Sequence, residues 1–251
     1  MVPVRLPGSD RLTSGEERSL TDDLIAERPS GGVPVTPAMQ DYLKAVYRLG
    51  ANGPVATQQL ADELGVAASS ATNMAKRLHE QGLLSHTPYH GVELTDEGRQ
   101  VALDVIRRHR LLETFLAEKV GLSWDEVHDE AERLEHHLSD RLEARLDSML
   151  GFPETDPHGD PIPRDGSSLN PDPTILELPA GASGIVSRVS DRDPEHLRYL
   201  GALGIVPGAR VDVLEHLPFE GPVRLRVSNA GQEPAEHVLG RPLAGVIRLS
   251  R

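Results

Sequence analysis

Three side chains near the middle of the chain share one helical face: Glu132, Glu135 and His136. Offsets of three and four residues stack side chains on the same side of an α-helix, so two carboxylates and an imidazole can close on one cation. His128 stands one turn earlier on a neighbouring face. His109 and Glu113, four apart, repeat the pattern on the helix predicted before it. Two antiparallel helices carrying such groups are one way of building a metal site in a bundle. Spacing alone leaves a plainer reading open, because Glu and His four apart on an acidic helix are usually solvated. No His-Glu-x-x-His occurs, so the zinc-peptidase motif is missing. There is no cysteine, which excludes disulfides, thiolate ligands and cysteine nucleophiles. A metal would have to take Asp, Glu, His, Met or backbone oxygen, a donor set that suits harder cations.

The net charge of −13 over 251 residues is unevenly spread. Residues 113–172 carry 16 acidic and 5 basic side chains, whereas 36–112 and 173–251 are each balanced. His128, His136, His137 and His158 lie in the acidic stretch. Such a stretch is either a solvated acidic surface or a place that draws cations. No apolar run approaches the ~20 residues of a membrane span, and the opening residues lack the apolar core of an export signal. The expectation is a cytoplasmic protein without a membrane partner.

Several elements must position these groups. Residues 1–35 read as a disordered arm. A helix is predicted to begin at Thr36-Pro37, with Tyr42, Leu43, Val46 and Tyr47 as its stripe. Thr57–Leu64, a break at Gly65 and a helix from Ala68 to Gln81 form a helix-turn-helix layout. Leu83–Thr95 reads as a hairpin with its tip at residues 88–91, hence a wing. Thr95 caps a helix to about Val120, and Trp124–Leu150 reads as one further long helix. Residues 153–173 read as a linker. Beyond them, short Val/Ile/Leu runs and one helical piece, Pro194–Gly204, suggest a small barrel.

A recognition helix needs small polar side chains that reach base edges in the major groove. The second helix of the layout offers Ser69, Ser70, Thr72, Asn73 and Lys76. Thr57 and Gln58 open the preceding helix, whose free N–H groups favour a phosphate. Arg77, Arg99, Arg107, Arg108 and Arg110 offer a local basic stripe. A helical hairpin with a polar solvent face, or a protein-interaction module, has the same pattern.

The order of these pieces resembles the diphtheria toxin repressor family of metal-dependent transcriptional regulators. The matching stretches are Asp41-Tyr42-Leu43-Lys44, the helix-turn-helix and wing, Arg108 to Glu113, Val127 to His136, Leu138-Ser139-Asp140 and Asp156 to Pro163. The last segment resembles the small module of ferrous-iron transport accessory proteins, through Tyr199-Leu200 and Leu203 to Gly208. The resemblance spans roughly 36–251. It implies a mainly α protein with a β-barrel: a winged helix-turn-helix over 36–108, a helical dimerisation and metal-binding domain over 109–152, the linker, and a small SH3-like barrel over 174–251. It also implies a homodimer bound to double-stranded operator DNA.

The resemblance places an activating metal site at Asp41, Glu132, Glu135 and His136. An ancillary site falls on His109, Glu113 and His128 with two barrel residues, Asp193 and His196, or Glu195 in place of one of them. Iron-responsive members carry Met and Cys where this chain has Asp41 and Glu132. Exchanging two sulfurs for two carboxylates shifts the expected cofactor to Mn(II), with Fe(II) as the alternative. Members that hold a two-metal cluster have Glu where Lys44 stands, so two separated sites are expected here. Without metal, Asp41, Glu132 and Glu135 should repel one another. The implied function is repression of metal-uptake genes by Mn(II); the alternatives are an iron-dependent repressor of the same family or a metalloenzyme, for which no nucleophile motif is present.

Overall fold

Proline fixes φ near the helical value and lacks the N–H that a first turn leaves unpaired anyway, so Pro37 starts α1 (Pro37–Leu49). Thr36 occupies the cap position without a side-chain capping bond. The computed structural model describes residues 35–87, 90–164 and 172–250. The expected N-terminal arm, apart from Val35, lies outside these residues, as do Pro88 and Tyr89 of the wing tip and 165–171 of the expected linker. Helix α1 buries Met39, Tyr42, Leu43 and Val46 against α2 (Thr57–Leu64) and α3 (Ala68–Glu80). Gly65, at φ 62°, makes the left-handed turn between α2 and α3. The wing is an antiparallel pair, β1 (Leu84–Thr87) and β2 (Gly91–Leu94), with Leu84 opposite Leu94. Val55 adds a bridge to Val92.

Thr95 caps α4 (Asp96–Phe115): its hydroxyl accepts from the Gly98 N–H at 3.1 Å and donates to the Gly82 carbonyl at 2.7 Å. The start of α4 therefore lies directly on the wing. A Cβ on Gly98 would come within 1.9 Å of the Leu83 carbonyl oxygen. The helix continues as a π-helical turn, Leu116–Val120, and stops at left-handed Gly121.

The single helix expected over Trp124–Leu150 is instead two. Helix α5 (Val127–Leu134) tightens into a 3-10 turn, Glu135–His137, Leu138 is extended, and α6 (Asp140–Met149) begins anew. Ser139 causes the break. Its hydroxyl accepts from the Leu142 N–H at 3.3 Å, and Asp140 and Glu143 place negative charge in the new first turn.

The first part of the expected linker, 153–164, is packed chain. Asp156, His158, Asp160 and Ile162 are buried, and Thr155 bridges Pro161. Arg110 of α4 donates to Asp160 Oδ1 at 2.7 Å and to the Pro161 carbonyl at 2.5 Å. The strands beyond form one antiparallel sheet in the order β6-β5-β4-β3-β7, the small SH3-like barrel of the expectation: β3 (Ser183–Val189), β4 (Arg210–His216), β5 (Val223–Ser228), β6 (Ala235–Leu239) and β7 (Ile247–Ser250). Val223, Leu225 and Val227 alternate inward along β5, as a half-buried strand requires. The expected helical piece is α7 (Pro194–Ala202), and a short α8 (Arg241–Ala244) precedes β7. Contacts between the barrel and the rest of the described chain include Arg188 to Asp160 Oδ2 at 2.7 Å, Arg198 to Asp125 at 3.1 Å and Arg192 to Glu63 at 3.0 Å.

The contact between α4 and the wing yields a test. Gly98→Ala should destabilise the protein by about 1–3 kcal/mol through overpacking, read as a lower urea midpoint. An unchanged midpoint would mean that α4 can move off Leu83 at no cost.

Candidate metal centre

Helix α1 brings Asp41 and Lys44, one turn apart, to face the end of α5. His136 Nε2 lies 2.9 Å from Asp41 Oδ1 and 3.5 Å from Glu135 Oε1. The other ring nitrogen, Nδ1, donates to Gln40 Oε1 at 2.6 Å. With Nδ1–H committed to Gln40, Nε2 points at two carboxylates, an arrangement that a cation satisfies. Glu132 stands beside them and is tied to Lys44, whose Nζ is 2.6 Å from Glu132 Oε1 and 2.6 Å from Glu135 Oε1. The expected repulsion among Asp41, Glu132 and Glu135 is thus answered from within, by Lys44 and His136.

A second cluster lies behind the first. His109 Nε2, Glu113 Oε1 and His128 Nδ1 are mutually within 3.0–3.1 Å, and Asp191 Oδ2 is 3.2 Å from His128 Nδ1. The two clusters adjoin instead of standing apart as expected: His109 Nδ1 donates to Glu135 Oε2 at 2.5 Å. Glu113 reaches on to a third group. Its Oε2 is 3.7 Å from His158 Nδ1, next to Asp156, while His158 Nε2 donates to the Trp124 carbonyl at 2.6 Å.

The electrostatics show where positive charge is wanted. Burial works against charge on His128, but Asp191 and Glu113 overcome it and raise its pKa to about 10. His158 is likewise raised to about 9, against its burial, by Glu113 and Asp156. Burial also opposes the charge on Glu113, yet His109, His128 and His158 hold it well below the usual carboxylate range. Burial, then the charges of Glu113 and Asp160, push Asp156 well above that range. Glu113 Oε2 and His158 Nδ1, 3.7 Å apart, and Asp156 Oδ2 are buried without a hydrogen bond. Buried polar atoms are rarely left so. Carboxylate oxygens and imidazole nitrogens gathered this closely form a donor set that fits a divalent cation.

Sequence comparison supports this chemistry. Residues 35–92 match the N-terminal DNA binding domain of iron dependent repressors, 95–164 their metal binding and dimerisation domain, and 174–249 the FeoA domain. The iron-dependent repressor IdeR of Mycobacterium tuberculosis (strain ATCC 25618 / H37Rv) is 34% identical over 187 residues, which are 68% of this chain and 81% of the relative. The chain belongs to the diphtheria toxin repressor family. Among solved structures, a manganese-dependent transcriptional repressor in complex with manganese is 44% identical, with a TM-score of 0.78 over 84% of this chain and 98% of that one. ScaR with bound Cd2+ is 33% identical, with a TM-score of 0.73 over 85% and 99%. These relatives are transcriptional repressors, and this family member is a regulator, not an enzyme.

As a member of the diphtheria toxin repressor family, the chain departs from the sequence expectation in the barrel's contribution. Asp193 caps α7, accepting from the Glu195 and His196 N–H groups, and His196 pairs with Asp193 at 3.6 Å. Neither of these, nor Glu195, joins a metal-ligand cluster among the described residues. Asp191, two residues earlier on the same loop, is the group that reaches His128. Asp156 and His158 also gather with Glu113, a grouping to which only their Asp-x-His spacing points in the sequence.

On the DNA side, Ser69, Ser70, Asn73 and Lys76 are exposed on α3, and Gln58 is exposed at the start of α2 beside a half-buried Thr57. Thr72 is half-buried, its hydroxyl donating to the Ala68 carbonyl at 2.9 Å. The expected arginine stripe does not form as such. Arg107 pairs with Glu143 and Asp147, Arg108 with Asp140 and Glu143, and Arg110 with Asp160. Arg99 lies 5.1 Å over the Tyr47 ring. Among the described residues no helix is long and apolar enough to cross a membrane.

Two outcomes test the second cluster. Asp191→Ala should weaken Mn2+ binding in calorimetry, and His196→Ala should leave it unchanged; the reverse would make His196, not Asp191, the barrel's contribution. The raised imidazoles set the pH dependence. A pKa raised from 6.5 to about 9 or 10 stabilises the metal-free fold fully below pH ~6.5 and loses that contribution as pH rises through the folded value. Metal-free protein should therefore melt lower at pH 8.5 than at pH 6.5. Mn2+ affinity should rise over the same interval as protons leave, with proton release read from calorimetry in two buffers. Affinity independent of pH would mean that neither imidazole is a ligand.

Proposed function

We propose that this protein is a cytoplasmic repressor of metal-uptake genes that binds double-stranded operator DNA as a homodimer, with Mn2+ as its co-repressor. One observation carries the choice of metal: the donors around Asp41 are carboxylate oxygens and an imidazole nitrogen, with no sulfur among them. Asp41, Glu132, Glu135 and His136 would hold the activating cation. His109, Glu113, His128 and Asp191 would hold a second, with Asp156 and His158 beside it. A divalent cation supplies the positive charge on which these carboxylates can converge.

The ligands belong to different parts of the molecule. Asp41 stands on α1, which packs against the reading helices, and Glu132, Glu135 and His136 stand at the end of α5. Drawing these residues together fixes the reading domain against the dimerisation helices. In a dimer, that fixes the spacing of two α3 helices to suit successive major grooves. The cation thus favours the DNA-competent arrangement by its differential affinity for it. The surface for a second copy is an apolar groove of about 320 Å³ lined by Leu112, Phe115, Leu134, Leu138, Leu142 and Leu146. Leu134 and Leu142 are 43% and 49% exposed there, and large apolar residues clustered at the surface mark association. Asn73 would read base edges, and Lys76 would meet phosphate.

Duplexes selected from a random pool by the Mn2+-loaded protein provide the probe. Their binding should require Mn2+ and be abolished by Glu132→Ala or His136→Ala in a folded dimer. Asn73→Ala should relax sequence preference by about 1–3 kcal/mol at one position. Leu142→Glu should shift sedimentation toward the monomer and weaken DNA binding. Activation by anaerobic Fe2+ far below the Mn2+ requirement would transfer the assignment to iron.

A further inference from the structure

We propose that Lys44 is a tethered counter-ion which a divalent cation must outcompete for Glu132 and Glu135, so that Lys44 sets the metal concentration at which the activating site fills. The inference rests on the metal-binding reading of that site and adds a residue which is not itself a ligand.

Lys44 is 4% exposed. A lysine is almost never buried unless paired, and this one has two partners at equal distance, Glu132 Oε1 and Glu135 Oε1, each at 2.6 Å. Both oxygens belong to carboxylates of the proposed site. Glu135 has no carboxylate oxygen to spare: Oε1 meets Lys44 and Oε2 accepts from His109. The ammonium therefore lies against one oxygen of each carboxylate that a cation there would draw on. It cannot diffuse away, because α1 is anchored by Met39, Leu43 and Val46 in the core of the reading domain. Asp41 sits one turn before it, so one face of α1 presents both a proposed ligand and the cation's competitor.

Two effects follow, with the same sign. Without metal, Lys44 satisfies buried carboxylates that would otherwise be costly. With metal, a positive charge within a few ångströms of the dication opposes binding.

The test titrates Mn2+ alone into the full chain, followed by calorimetry and by the electron paramagnetic resonance of free Mn2+. Lys44→Met should bind Mn2+ at the site removed by Glu132→Ala roughly ten-fold or more tightly than wild type. Its metal-free form should melt lower and recover on adding Mn2+. Lys44→Arg, which keeps the charge, should bind no more tightly than wild type. Equal or weaker binding by Lys44→Met, or a fold that Mn2+ does not restore, would overturn the proposal and make Lys44 a support that orients the glutamates. Wild-type Mn2+ binding indifferent to both Glu132→Ala and His136→Ala would instead overturn the site itself.

Discussion

Glu135 is fully buried, and each of its oxygens answers to a different part of the protein. Oε2 accepts from His109 on α4; Oε1 meets Lys44 on α1 and lies near His136. A carboxylate removed from water is costly unless its lone pairs are met, so α1, α4 and the turn after α5 must come together around it. That requirement explains the local backbone. Continued α-helix through residue 138 would carry the chain onward; the 3-10 turn at Glu135–His137 tightens it and places Glu135 and His136 against α1. Ser139 then restarts the helix in a new direction. The reading domain and the dimerisation helices are joined through a charge, not through apolar packing alone.

The acidic excess of residues 113–172 acquires a definite destination. Part of it faces arginines: Arg107, Arg108 and Arg110 on α4 project toward Glu143, Asp147, Asp140 and Asp160. The arginines that looked available for DNA are thereby used internally, to hold α6 and the 153–164 segment on α4. The rest of the excess converges on the histidines. Two clusters share Glu113, one oxygen each, so substitutions at that residue act on both.

Elements with a period were legible in the sequence, and irregular chain was not. The helix-turn-helix, the wing and the alternating strands each follow from regular apolar spacing, and Thr95 announced its helix through its own capping chemistry. The break at residues 135–139 escaped because Leu134, Leu138, Leu142 and Leu146 keep a spacing of four across it, which a continuous helix would also produce. Offsets of three and four led to Glu132, Glu135 and His136 as one face; the structure gathers Glu135 and His136 with Asp41, and Glu132 with Glu135 and His109. Asp191, Asp156 and His158 sit on loops, where no period relates a residue to its neighbours in space. For them position depends on tertiary packing: Gly159, at φ 86°, lets the 153–164 segment lie with its backbone against the Ser187 carbonyl on β3. Asp193, expected with His196 as the barrel's ligand, precedes Pro194 and caps α7, while Asp191 lies against His128.

The absence of sulfur among the clustered donors bears on more than metal preference. A thiolate ligand is exposed to peroxide, which converts it to sulfenic acid and then to acids that bind metal differently. Carboxylates offer peroxide no such chemistry, and this chain has no cysteine at all. The methionine nearest the Asp41 cluster in sequence, Met39, is wholly enclosed in the core of the reading domain. Peroxide therefore finds no thiolate to attack in the ligand set. Loss of a ligand through sulfenic-acid formation is a failure that this site does not face.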